Sequence, residues 1–222
     1  GGLIAGVAFA IKSLRPDVKV YGVQSAGAPS MVASLQERKI QHLAEVSTIA
    51  DGIAVKEPGV NTFDICNTYV DEVVTVTDDE IAAAILALLE QQKMVAEGAG
   101  AVSVAAVMFN RLPVAGKRVV CLVSGGNIDV STLNRVIVRG LVKSGRNCTL
   151  TLDLFDKPGQ LSGVCAVIAR LGGNVISVSH ERNNDSTEIN GCVLRVEMET
   201  RNTQHIAEIR EGLASAGYHV IR

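Results

Sequence analysis

The chain has 222 residues, 47% of them apolar, enough for two ordinary domains that each bury a core. Its 21 Lys and Arg stand against 23 Asp and Glu, aromatic residues make up 3% and Trp is absent. A near-neutral chain without stacking platforms is not expected to bind nucleic acid, and no stretch is apolar for long enough to cross a membrane.

Gly1-Gly2 precedes a helix predicted over residues 3–14, which Arg15-Pro16-Asp17 ends. A β-branched strand follows at 18–23, then helices at 31–38 and 62–69 and a strand at 72–76. Thr77-Asp78 caps a helix over 79–93 whose Ile81, Ile85, Leu88 and Leu89 share one face. An Ala-rich helix is predicted at 97–110. Residues 117–123 read as a continuous apolar strand of a parallel sheet covered on both faces, and 128–143 as the next helix, with Asn127 as its cap. This alternation of strand and helix is α/β with a parallel sheet.

Residues 144–148 form a linker, beyond which the rhythm changes. Leu150, Leu152 and Leu154 alternate with Thr149, Thr151 and Asp153 in a half-buried strand over 149–155. A turn at Asp156-Lys157-Pro158-Gly159, a helix at 160–171, strands at 174–180 and 191–198, a helix at 203–216 and a strand at 218–221 complete a β-α-β-β-α-β order, which is ferredoxin-like.

The five cysteines, Cys66, Cys121, Cys148, Cys165 and Cys192, are odd in number, widely spaced and without a C-x-x-C pair. They are expected to be reduced, buried thiols of a cytoplasmic protein. His42, His180, His205 and His219 lack ligand spacing and read as surface or packing groups, so no metal site is expected. The opening residues lack Met and the pattern of a secretory leader, and the chain reads as part of a longer one.

Three strings carry candidate chemistry. Val119-Val120-Cys121-Leu122-Val123 runs into Ser124-Gly125-Gly126-Asn127, a strand end where glycines admit a ligand to the backbone and Ser124 offers one hydroxyl. Glu97-Gly98-Ala99-Gly100-Ala101 opens a helix whose dipole already favours a carboxylate at its start. Gly1-Gly2 presents backbone N–H groups at a helix start, an anion site when the turn is used for that purpose.

Together with Gly1-Gly2-Leu3-Ile4-Ala5-Gly6 and Ala50-Asp51-Gly52-Ile53-Ala54-Val55-Lys56, these strings resemble the serine/threonine dehydratase family of pyridoxal 5'-phosphate enzymes. Strand-Asp156-Lys157-Pro158-Gly159-Gln160-Leu161-helix resembles the start of an ACT domain. The resemblance implies that residues 1–143 are part of a parallel-sheet catalytic domain of the tryptophan synthase β-like kind. Residues 149–222 would then be an α+β, ferredoxin-like ACT domain.

It further implies a cofactor, pyridoxal 5'-phosphate, with Gly1, Gly2 and Leu3 on its phosphate. Ser124 would lie on its ring nitrogen, and Gly52, Ile53, Glu97 and Gly125 around it. The family's Schiff-base lysine lies in Ser-x-Lys-x-Arg-Gly, which this sequence does not contain. Lys56 sits in a charged, turn-rich stretch and is not expected to replace it. No catalytic residue is therefore placed in the chain; the lysine is expected upstream, and the chain alone is expected to be inactive. Some relatives bind a divalent cation through two carboxylates where this sequence has Gln24 and Ser30; neutral oxygens predict no divalent site, and a monovalent ion on carbonyls stays open.

The implied reaction is deamination of L-threonine, and of L-serine, to a 2-oxo acid and ammonia by a cytoplasmic homo-oligomer. Isoleucine or valine is the implied effector, in keeping with a role in isoleucine biosynthesis, with Gly159 and Asn174 as its contacts. The competing reading is a non-catalytic regulatory or assembly module that binds an amino acid through its last third.

Overall fold

The computed structural model of the chain describes residues 1–182 and 190–221. These fall into two compact units, Gly1–Ile137 and Val138–Arg222.

In the first unit the elements run α1 (Gly2–Leu14), β1 (Tyr21–Ser25), α2 (Ser30–Gln36), α3 (Val60–Tyr69), β2 (Glu72–Val76), α4 (Asp78–Ala87), α5 (Gly98–Met108) and α6 (Val130–Lys143), the last reaching into the second unit. Strands β1 and β2 pair in parallel, Tyr21 opposite Glu72 and Ser25 opposite Val76. The first strand starts later than the β-branched run suggested because Asp71 claims its approach. Asp71 accepts from the Val20 N–H at 2.8 Å and from Lys19 at 2.7 Å, and pairs with Lys12 at 2.6 Å. Burial pushes the Asp71 carboxyl up, but these donors outweigh it and hold the group well below the usual carboxylate range.

Thr77 caps α4 as its sequence predicts. Its hydroxyl accepts from the Glu80 N–H at 3.3 Å, while the Glu80 carboxylate accepts from the Thr77 N–H at 2.7 Å. This reciprocal pair is a capping box, and Arg111 grips the other Glu80 oxygen at 2.6 Å. Past Ala87 the helix widens into a π-helical turn, Leu88–Gln92, and stops at Lys93 in the left-handed region at φ 56. Ile81 and Ile85 of α4, Ala101 and Ala105 of α5 and Val76 of β2 are essentially solvent-free and form the core.

Residues 117–123 are not a strand. Val120 is 95% exposed and Leu122 50%. A strand needs a ladder partner, and among the described residues none lies beside this segment. The carbonyl of Leu122 instead accepts from the Ser103 hydroxyl of α5 at 3.0 Å. The cap of α6 is also two residues from its expected place: Asp129, not Asn127, accepts from the N–H groups of Ser131 and Thr132.

The second unit holds β3 (Asn147–Phe155), α7 (Gln160–Arg170), β4 (Asn174–Glu181), β5 (Gly191–Glu199), α8 (Thr203–Ser215) and β6 (His219–Val220). Its sheet order is β4-β5-β3-β6, antiparallel throughout, which is the ferredoxin-like topology. Leu150, Leu152 and Leu154 of β3 pack with Leu194 and Met198 of β5, Val164 and Ile168 of α7, and Ile209 and Leu213 of α8. Burying each such side chain is worth roughly 2 kcal/mol.

His205 is a packing histidine. Its Nδ1 accepts from the Arg201 N–H at 3.0 Å, which leaves Nε2 to donate to the Leu171 carbonyl at 2.9 Å. Cys66 and Cys192 are buried and the other cysteines half-buried, all unpaired. Burial pushes the Cys66 thiol up. No helix is long and apolar enough to cross a membrane, among the described residues.

Thr77→Ala is expected to cost about 1 kcal/mol of first-unit stability, read from the urea midpoint, because the Glu80 N–H loses its cap acceptor. Asp71 gives a pH test. Its folded pKa lies below its unfolded value, so its contribution is full above the unfolded pKa and is lost as pH falls towards the folded one. Acidification from ~pH 5 to ~pH 3 is expected to lower the urea midpoint, and Asp71→Asn is expected to flatten that slope.

Candidate functional site

Three backbone segments meet at the start of α5. Glu97 occupies the residue before the helix, and its N–H donates to the Gly125 carbonyl at 3.1 Å. A side-chain carbon added at Gly125 would come within 2.0 Å of the Glu97 carboxylate, and one at Gly100 within 2.6 Å of the Gly125 carbonyl. The approach at Gly100, against main chain, admits only glycine, while at Gly125 a side chain would have to displace the Glu97 carboxylate. On the other flank, the turn Asp51–Ile53 brings Gly52 to 3.3 Å from the Ala99 methyl, measured from where its own Cβ would lie. Ile53 packs against the same core as α5. Gly52, Ile53, Glu97 and Gly125 are thus gathered in one place, and Ser124 stands next to Gly125 with an exposed side chain.

A cleft of about 360 Å³ adjoins them, lined by Asp51, Asp78, Glu97, Gly98 and Asn127, with Arg135 at its rim. Sequence reading took Asp78 only as part of a cap. It also ties the Gly52 loop to the end of β1: it accepts from Thr48 Oγ1 at 2.6 Å, the Ile49 N–H at 3.1 Å and Ser25 Oγ at 3.3 Å. The acidic run after Thr77 did not announce a second job, because the partners lie far off in sequence.

Gly1, Gly2 and Leu3 form a separate group at the start of α1. All three are exposed, no side chain caps the helix, and its first internal hydrogen bond runs from the Ala5 N–H to the Gly1 carbonyl at 3.0 Å. The N–H groups of this first turn have no partner within the helix, as at any helix start. Gly1 lies against Met31 and Thr62. Gln24 is used locally: its Oε1 accepts from the Val32 N–H at 2.9 Å in the first turn of α2.

This donor set suits a phosphorylated pyridine in two respects. An uncapped helix start of thirteen residues suits a phosphate dianion, and the Ser124 hydroxyl, which no hydrogen bond occupies among the described residues, suits a ring nitrogen. Neither group includes a lysine. Lys56 is exposed and donates to the Ala44 carbonyl at 2.8 Å, a loop tie.

In the second unit, Gly159 precedes α7 at φ 93 and lines a cavity of about 400 Å³ with Asp156, Leu161, His180, Arg182 and Cys192. Asn174, its expected companion, is at the other end of β4, where its Nδ2 donates to Glu199 at 2.8 Å. It does not line that cavity. His180, which lacks ligand spacing along the chain, has two other ligand types close by: Asp156, His180 and Cys192 each bring one donor atom within 4.8 Å of the others. Spacing along the chain could not reveal this, since strand register makes them neighbours.

Residues 1–125 match the family described as "Pyridoxal-phosphate dependent enzyme". An L-threonine ammonia-lyase from Thermotoga maritima is 50% identical over 220 residues, covering 99% of this chain and 55% of that protein. One from Geobacter sulfurreducens is 47% identical over the same shares. The chain therefore spans about half the length of these curated relatives. Among solved structures, processed threonine deaminase isoform 2 from Solanum lycopersicum is 38% identical, with a TM-score of 0.57 over 63% of this chain and 41% of that one. Serine racemase from Dictyostelium discoideum is 35% identical, with a TM-score of 0.54 over 59% and 42%. The likeness to the dehydratases seen in the strings from Gly1 to Asn127 therefore holds, and the chain belongs to the family of pyridoxal-phosphate dependent enzymes.

Proposed function

We propose that the chain is part of a cytoplasmic threonine ammonia-lyase, which converts L-threonine to 2-oxobutanoate and ammonia and also accepts L-serine. The observation that carries this reading is the gathering of Gly52, Ile53, Glu97 and Gly125 at the start of α5, beside the exposed Ser124. Similarity over 220 residues to proteins named L-threonine ammonia-lyase supports the choice of substrate.

Pyridoxal phosphate, when bound, supplies a delocalised ring that accepts the charge left when the substrate loses its α-proton. The N–H groups of Gly1, Gly2 and Leu3 would hold its phosphate without a charged side chain. Ser124 would donate to, or accept from, the ring nitrogen. A neutral hydroxyl leaves that nitrogen less firmly protonated than a carboxylate would, which suits loss of a β-hydroxyl over amino-group transfer. Gly125 keeps the wall beside the ring free of side chain, and Glu97 places a carboxylate there. The Schiff-base lysine belongs, in this reading, to a preceding part of the protein, so the chain alone is inactive.

The domain division in this reading places the catalytic part at 1–143 and an ACT-like regulatory domain at 149–222, joined by 144–148. Ferredoxin-like topology supports it, as does the cavity under Gly159, where an amino-acid effector such as isoleucine or valine would enter. The edge strand β4, with Ile176 50% exposed, supports assembly into a homo-oligomer.

In a protein that joins this chain to the lysine-bearing part, Ser124→Ala is expected to weaken cofactor binding roughly fivefold, the loss of one hydrogen bond of about 1 kcal/mol. Threonine deamination at limiting cofactor falls with it. Unchanged cofactor affinity would remove Ser124 from the site. Isothermal titration of the metal-free 222-residue chain with isoleucine and with valine checks the regulatory reading; heat of binding with either, lost in Gly159→Leu, is the expected result.

A further inference from the structure

One end of the second sheet carries three different kinds of metal-binding side chain. Leu154 of β3 stands opposite Cys192 of β5, and His180 of β4 stands opposite Leu194. Directly opposed residues, and alternate residues along one strand, share a face of the sheet. Leu154, Cys192 and Leu194 are buried in the helix-covered core. His180 shares that face by pairing. Asp156, two residues beyond Leu154, comes to the same end of the sheet, where it lines the cavity under the start of α7.

There, His180 Nε2 and Asp156 Oδ1 lie 3.9 Å apart, too far for a hydrogen bond yet facing each other. Cys192 completes a triangle with no side longer than 4.8 Å. The second Asp156 oxygen accepts from Arg182 Nε at 3.0 Å, which orients the carboxylate and leaves Oδ1 for His180's side.

We propose that Asp156, His180 and Cys192 are a three-ligand site for a thiophilic divalent cation of the Zn²⁺ class, with its fourth position open to the cavity. The donor set decides the class. One sulfur, one imidazole nitrogen and one carboxylate oxygen suit Zn²⁺, whereas Mg²⁺ and Ca²⁺ take oxygen. Bonds of about 2.0–2.3 Å around a tetrahedral ion put ligand atoms about 3.3–3.8 Å apart. The triangle must close by at most about 1.5 Å. The His180 and Asp156 side chains are 30% and 33% exposed and can swing inward, while Cys192 is fixed in the core. Two anionic ligands balance the ion, with Arg182 remaining as a positive neighbour. The cavity of about 400 Å³ accommodates a water in the fourth position. This site needs neither the cofactor nor threonine chemistry, and its test does not read activity.

The metal-free 222-residue chain is titrated with Co²⁺, then with Zn²⁺. The expected result is one equivalent of Co²⁺ with intense tetrahedral visible bands and a thiolate charge-transfer band, displaced by Zn²⁺. His180→Ala and Asp156→Asn are each expected to weaken Zn²⁺ binding by at least about 100-fold, since even losing an outer-shell partner costs 10–100-fold. Cys192→Ser removes the charge-transfer band, and Cys121→Ser leaves it in place. His180 is exposed, so its variant reports on the site even where Cys192→Ser fails to fold. Weak octahedral cobalt bands alone, or a tetrahedral spectrum that survives His180→Ala, would overturn the proposal.

Discussion

The first unit depends on how closely bare backbone approaches bare backbone at the start of α5. The Gly125 carbonyl is held by the Glu97 N–H and sits where a Gly100 side chain would otherwise be. At Gly100 the contact is with main chain and leaves no volume for a methyl group, whereas at Gly125 the neighbour is the movable end of the Glu97 side chain. That hydrogen bond fixes the main chain at Glu97 and Gly125, and so the points from which Ser124 and Glu97 extend their side chains. Asp78 does the same for the opposite flank, using one carboxylate to fasten Thr48 and Ile49 to the end of β1. Such placement loses little entropy on ligand binding, because the parts that could move are already tied.

Helix starts show a division of labour. Thr77 and Asn202 close α4 and α8 with their own side chains, Gln24 reaches across to α2, and Asp129 holds α6. Helices α1, α5 and α7 begin at Gly1, Glu97 and Gly159 without a side-chain cap, and these are residues that the motifs single out. Helix α3 also begins uncapped, at Gly59, with no candidate chemistry beside it. An open helix start is thus a permissive feature; it becomes informative only when the neighbouring residues offer complementary groups.

Local signals are the ones legible in the sequence. Thr77 before an apolar periodic run and the strict alternation from Thr149 to Leu154 each state their own geometry, and those elements lie within a few residues of expectation. What failed depends on partners. Residues 117–123 have the composition of a buried strand, but strand character is conferred by a neighbour, and composition cannot say whether one is present. Asn174 and Gly159 look paired as helix and strand starts, yet β4 runs for eight residues and carries Asn174 away from the cavity. The reverse happened at His180 and Cys192, where two unremarkable residues are joined by register. The gathering of Gly52, Glu97 and Gly125 was legible only through resemblance, because no periodicity links them.

The exposed run from Val119 to Val123 has a consequence for handling the chain. It is short, β-branched and nearly uncharged, and its backbone lacks ladder partners among the described residues. Such a segment is a template for any other extended chain, including a second copy of itself. Self-association in concentrated solution would begin there, by main-chain pairing that is indifferent to the exquisite fit of side chains elsewhere. Val119, Val120 and Leu122, which lie exposed, are thus a liability for the solubility of the isolated chain.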